Sequence, residues 1–79
     1  MRRLIVVKAT GDPEAGVWVA ESGDVPGLVT EAETLDSLTE KLPGLIQDLL
    51  NEEDGQDVEI PVEIVAHASS RVRIRARAA

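Results

Sequence analysis

The chain has no cysteine, no phenylalanine and no tyrosine, and it carries one tryptophan, Trp18, and one histidine, His67. Without cysteine, no disulfide can staple the fold and no thiolate can hold a metal, and nothing points to an oxidising compartment. Without phenylalanine or tyrosine, there is no aromatic platform on which single-stranded nucleic acid could stack. His67 has no second histidine and no recognised nucleophile motif to work with, and its nearness to Ser69 is not a triad spacing. Long apolar runs are missing too. The longest, Leu4 to Val7 and Val17 to Ala20, are too short to span a membrane or to form a signal-peptide core. The length of 79 residues leaves room for one domain. Area scaling gives a compact chain of that size about 4,700 Å² of surface, with about 60% of the unfolded area buried. Such a core is thin, and a second subunit would help it. The expectation is one soluble, cytoplasmic domain that does not enter a membrane.

Positive charge is absent from most of the chain. Arg2, Arg3 and Lys8 lie at one end and Arg71, Arg73, Arg75 and Arg77 at the other. Between them stand all 15 carboxylates and a single cation, Lys41, within an overall net charge of −7. An acidic body with basic ends fits a solubilising surface whose termini are drawn back to it. It fits equally a body that repels nucleic acid and attracts a basic partner.

The pattern along the chain first has a period of two. Leu4-Ile5-Val6-Val7 reads as a strand buried on both faces or nearly so. Gly11 to Gly16 supplies a turn with Pro13 presetting φ, and Val17 to Glu21 makes a second, antiparallel strand. Its Val17 and Val19 share one face, and Trp18 and Ala20 the other. After the break at Ser22 to Gly27, Leu28 to Ala32 forms a third strand. The period then becomes 3.6. Thr34 is an N-cap, Asp36 suits the first turn, and Leu35, Leu38, Leu42, Leu45, Ile46, Leu49 and Leu50 form one apolar stripe. Pro43-Gly44 interrupts it: either the helix kinks there, or it breaks and Pro43 begins a second one. Asn51 to Asp57 reads as an acidic loop. Val58, Ile60, Val62, Ile64 and Ala66 then alternate as a fourth strand, which Pro61 assigns to an edge or a bulge. Arg71 to Arg77 alternates again, predicting a fifth strand with arginines on one face, or a basic tail over 71–78.

The stretch Asp24-Val25-Pro26-Gly27-Leu28-Val29-Thr30-Glu31-Ala32-Glu33-Thr34-Leu35-Asp36-Ser37-Leu38 resembles the signature of the HicB-like antitoxin superfamily. That signature runs Asp-x-Pro-Gly, an apolar pair, Thr, a short acidic turn, Thr, then an amphipathic helix. Trp18-Val19-Ala20-Glu21 looks like the strand that precedes it. The likeness covers residues 4–66 and is nearest to short, stand-alone HicB-like domains of unknown function. It implies an α+β, β-β-β-α-β, partial RNase H-like fold over the single domain 1–79. It also implies a partner, a small basic HicA-like toxin that cleaves mRNA. HicB antitoxins often add a C-terminal DNA-binding module. Only the 13 residues from His67 to Ala79 follow the fourth strand here, so no such module is expected.

The motif itself has a complete conformational explanation. Pro26 and Gly27 suit a type II turn over Val25 to Leu28, Asp24 precedes it, and Thr34 caps the helix. The kinship to RNase H prompts a search for metal-binding carboxylates among Asp12, Glu14, Asp24 and Asp36. Each is better explained as a turn former or dipole partner, so the expectation is no catalytic residue, no metal, no cofactor and no enzyme. The function expected is toxin neutralisation by occlusion, with Glu31, Glu33, Asp36, Glu40, Glu52 and Glu53 as partner contacts. The alternatives are an orphan homo-oligomeric structural or regulatory domain without a toxin, or weak nucleic-acid binding through Arg71, Arg73, Arg75 and Arg77. Those arginines fit better as pairs for acids in the same sheet or in a second subunit. A homodimer or higher homo-oligomer is expected in every case.

Overall fold

A computed structural model describes residues 4–50 and 59–77. Strands β1 (Ile5–Asp12), β2 (Val17–Glu21) and β3 (Val29–Ala32) are followed by helix α1 (Leu35–Leu49) and strand β4 (Val62–His67). The sheet order is β3-β2-β1-β4. The first three strands form an antiparallel meander, and β4 lies parallel to β1 on its other side. The architecture is a small α+β fold, a mixed four-stranded sheet with one helix.

Strand β1 is longer than the apolar run that announces it, and only one of its faces is buried. Ile5, Val7 and Ala9 are buried, whereas Val6, Lys8 and Thr10 are exposed. The expectation of a strand covered on both faces is therefore corrected, because a single helix can cover only one side. Gly11 and Asp12 belong to the strand and the turn narrows to residues 13–16, closed by Gly16 at φ +69°. In β2 the alternation holds: Ala20 is buried beside Ala9, and Trp18 pairs with Gly11 on the same face. Val17 and Val19 lie on the open face with Glu21.

Beyond Glu21 the hairpin ends, yet β1 still has main-chain groups to satisfy. Two side chains supply the missing rung. Ser22 Oγ donates to the Val6 carbonyl at 2.6 Å, and the Val6 amide donates to Asp24 Oδ2 at 2.9 Å. The Asp24 amide in turn donates to Ser22 Oγ at 3.1 Å. The Pro-Gly turn follows as expected for type II: Gly27 has φ +85° and the Leu28 amide donates to the Val25 carbonyl at 3.1 Å. Val25 and Leu28, flanking that turn, are both buried in the core.

Thr34 caps the helix in extended conformation, its Oγ1 accepting from the Ser37 amide at 3.0 Å. The helix then runs unbroken through Pro43, which resolves the alternatives of kink or break against a break. Pro43 and Gly44 are exposed on the side away from the buried Leu38, Leu42 and Ile46. The Thr39 carbonyl freed by the proline ring is therefore left near solvent. Leu38, Leu42 and Ile46 join Ile5, Val7, Ala9 and Ala20 in one core, with Leu35, Leu45 and Leu50 packed at its margin. Leu49, which the stripe places in the core, is 46% exposed.

Strand β4 begins only after Pro61, whose carbonyl accepts from the Ile5 amide at 3.1 Å. Ile60 is half-buried against the core but unpaired, and Val58 and the expected acidic loop lie outside the described residues. The edge position read from Pro61 is observed. The fifth strand is not: residues 71–77 are extended past the body, exposed and without strand pairing. The alternation is there in the sequence, but among the described residues no strand pairs with it. The radius of gyration of 17.5 Å, against about 12 Å for a compact chain of this length, reflects such an elongated outline.

Two outcomes follow from the packing. Leu42→Ala should cost about 2–5 kcal/mol of unfolding free energy, because it opens a cavity where helix meets sheet; urea titration followed by circular dichroism measures it. Asp24→Ala should cost about 0.5–1.5 kcal/mol and speed hydrogen exchange at the Val6 amide, which loses its acceptor.

Candidate functional site

Four of the acidic residues singled out above are carried by β3, the link after it and the first turns of α1, the β3–α1 corner of the fold. Glu31 projects from edge strand β3 on the open face, opposite Val19, while its neighbours Thr30 and Ala32 turn toward the helix. Glu33 lies in the link that follows, and Asp36 and Glu40 are one helical turn apart on α1. All four are exposed. Asp36 gains from the helix N-terminus, as its place in the first turn implies. Lys41, the lone cation of the acidic body, is held to the main chain: its Nζ donates to the Glu31 carbonyl at 2.7 Å. The corner thus carries four exposed carboxylates that do not share one face: Glu31 stands on the open side of the sheet, Lys41 turns toward β3, and the helical period directs Asp36 and Glu40 away from Lys41. Glu52 and Glu53 lie outside the described residues.

Beside this corner is an open cleft of about 290 Å³ that the sequence pattern did not reveal. It forms where the β1–β2 turn, the β3–α1 link and the end of β4 converge, and Asp12, Pro13, Trp18, Glu33 and Ser69 are among its walls. Trp18 lies across Gly11 so closely that a Cβ there would sit 3.5 Å from the ring. The indole is thus half-buried at the margin of the core and not inside it. The only local hint was a glycine two residues past a buried alanine on the helix-facing side of β1. An indole face flanked by carboxylates suits a cationic side chain and disfavours an anion.

The other candidate carboxylates are engaged in holding the chain. Asp12 Oδ1 accepts from the amides of Glu14 and Ala15 at 3.1 and 3.3 Å, which forms the turn. Asp24 supplies the β1 rung described above, and Pro26, Gly27 and Thr34 act as turn and cap. Among the described residues, no three His, Cys, Asp or Glu side chains converge as metal ligands would. His67 is exposed at the end of β4. No helix among the described residues is long and apolar enough to cross a membrane.

The arginines are not brought to the acidic corner. Arg71, Arg73, Arg75 and Arg77 are all exposed on the unpaired C-terminal segment, and between them Val72 is 81% and Ile74 86% exposed. The open face of the sheet is mixed. Across it runs a row from Val29 through Glu21 and Lys8 to Val65, and beside that another from Glu31 through Val19 and Thr10 to His67.

Comparison with known proteins gives a family without a described activity. No curated protein matches the chain. Among solved structures it is similar to the hypothetical protein TTHA1013 from the extremely thermophilic bacterium Thermus thermophilus. The two are 49% identical, the match covers 91% of this chain and 100% of the other, and the TM-score is 0.64. Residues 4–78, which hold the whole sheet, the helix and the arginine segment, match the domain of unknown function DUF1902. The chain belongs to the DUF1902 family.

Proposed function

We propose that the chain is a HicB-like, antitoxin-type binding module with a partial RNase H-like fold, which neutralises a small basic HicA-like mRNA-cleaving toxin by occlusion. The observation that carries this reading is the β3–α1 segment, along which Glu31, Glu33, Asp36 and Glu40 are each exposed and Lys41 is bound to the main chain. The element order β-β-β-α-β and the Asp24 to Leu38 motif support it further. Occlusion asks for shape and charge and for no chemistry from this chain, so the reading needs no catalytic group, metal or cofactor. Negative potential at the corner speeds encounter with a cationic partner and weakens as salt screens it. The Trp18 cleft with Asp12 and Glu33 offers an arginine or lysine of that partner a place to dock. Such work belongs in the cytoplasm, where mRNA is translated.

The exposure of Val72 and Ile74 favours a second reading, an orphan homo-oligomeric domain without a toxin. Neighbouring reading frames distinguish the two, since a toxin gene would encode a small basic protein beside this one. In the decisive experiment, the tagged chain retains such a protein from host lysate and the purified pair no longer cleaves mRNA. Replacing Glu31, Glu33, Asp36 and Glu40 together by lysine should lower affinity by about tenfold or more, while circular dichroism stays unchanged. Repeated recovery of no small basic protein would overturn the proposal.

A further inference from the structure

Among the described residues nothing pairs with the outer edge of strand β4, and the chemistry of that edge can be specified. The Ile5 amide donates to the Pro61 carbonyl, and the parallel register sets Ile5 beside Val62 and Val7 beside Ile64. In a parallel ladder of that phase, Glu63, Val65 and His67 direct their main-chain groups toward β1. The N–H and C=O groups of Val62, Ile64 and Ala66 therefore face outward. The side chains of these same three residues stand on the helix side of the sheet, in register with Ile5, Val7 and Ala9. Helix α1 packs over β2 and β3 and leaves β4 largely uncovered, so Val62 and Ala66 are exposed and Ile64 is half-buried.

The C-terminal segment has the matching pattern. Val72, Ile74 and Ala76 alternate with Arg71, Arg73, Arg75 and Arg77, all exposed and without strand pairing. We propose that residues 71–77 of a second copy add to the outer edge of β4 as an antiparallel fifth strand, and that the second copy receives the same segment in return. Setting Ile64 opposite the partner's Ile74 also sets Val62 opposite the partner's Ala76 and Ala66 opposite the partner's Val72. These are the residues with outward main-chain groups, and they form the hydrogen-bonded pairs of the ladder. On the other face, Glu63 meets the partner's Arg75, while Glu59 lies one diagonal step from the partner's Arg77. The two-fold axis of this register passes through Ser69, so the contact is self-complementary and closes as a dimer.

The same register could in principle be reached by the segment folding back on its own β4. The intervening Ala68-Ser69-Ser70 contains no glycine, asparagine, aspartate or proline, the residues that tight hairpin loops use. The segment instead leaves the body extended, as exchange between copies requires. The exposed area agrees: the chain presents 6819 Å² where a compact one of its length would present about 4,700 Å².

The purified 79-residue chain tests this without any toxin, so the result is independent of the function proposed above. Sedimentation equilibrium should give a dimer, and a variant ending at Ser70 should give a folded monomer by circular dichroism. Because the chain lacks cysteine, Ile64→Cys and Ile74→Cys variants, mixed and oxidised, should form a disulfide-linked pair. Within one extended chain these positions lie about 33 Å apart and cannot join. Arg75→Glu should weaken the dimer by about tenfold, and adding Glu63→Arg should restore it. A monomeric full chain, a dimer indifferent to removal of residues 71–79, or an intrachain disulfide in the double-cysteine variant would each overturn the proposal. So would crosslinking of Ile74→Cys to Val29→Cys on β3, or a segment that only retains RNA in a salt-dependent way.

Discussion

A single fifteen-residue helix is the only cover the described part of this four-stranded sheet has. The rest of the structure follows from that limit. Helix α1 packs over β2 and β3, and its Leu38, Leu42 and Ile46 share one core with the small Ala9 and Ala20. Val25 and Leu28, which flank the Pro-Gly turn, fill the end of the core that the helix alone does not reach. What the helix cannot reach stays open. Among the described residues, the open face of the sheet and most of β4 are exposed, with valines among charges, while Ile64 stays half-buried against the core.

Four residues of the motif that marks the family resemblance hold the conformation of the chain. Asp24 extends the β1 ladder by one rung through its side chain, Pro26 and Gly27 turn the chain back, and Thr34 starts the helix. Their joint effect is to fix the run from β3 into α1, along which Glu31, Glu33, Asp36 and Glu40 are exposed. Glu31, Glu33 and Asp36 lie inside the same motif, so fold signature and candidate site overlap in sequence.

Local signals are legible in the sequence, and non-local ones are not. Strand β2, the type II turn, the Thr34 cap and the helix stripe all declare themselves within a few residues of one another. The second half of β1 does not, because Lys8, Thr10 and Gly11 interrupt the apolar run while still alternating. Pro43 leaves the helix ambiguous, since its cost depends on whether it faces core or solvent, and that is settled by tertiary packing. The parallel pairing of β4 with β1 and the lateness of its start depend on a partner strand fifty-odd residues away. Charge makes the acidic corner legible in advance. The cleft beside it is not legible, because it needs a turn, a link and a strand end brought together from three places.

The lone tryptophan occupies an instructive position. Its indole spans Gly11 and borders Ala68 and Ser69, where the C-terminal segment departs from the sheet. With no tyrosine or phenylalanine elsewhere, the near-ultraviolet signal of the protein originates at that junction alone. The molecule is thereby supplied with an intrinsic optical reporter, and changes in emission read the surroundings of a single hinge point without any attached dye.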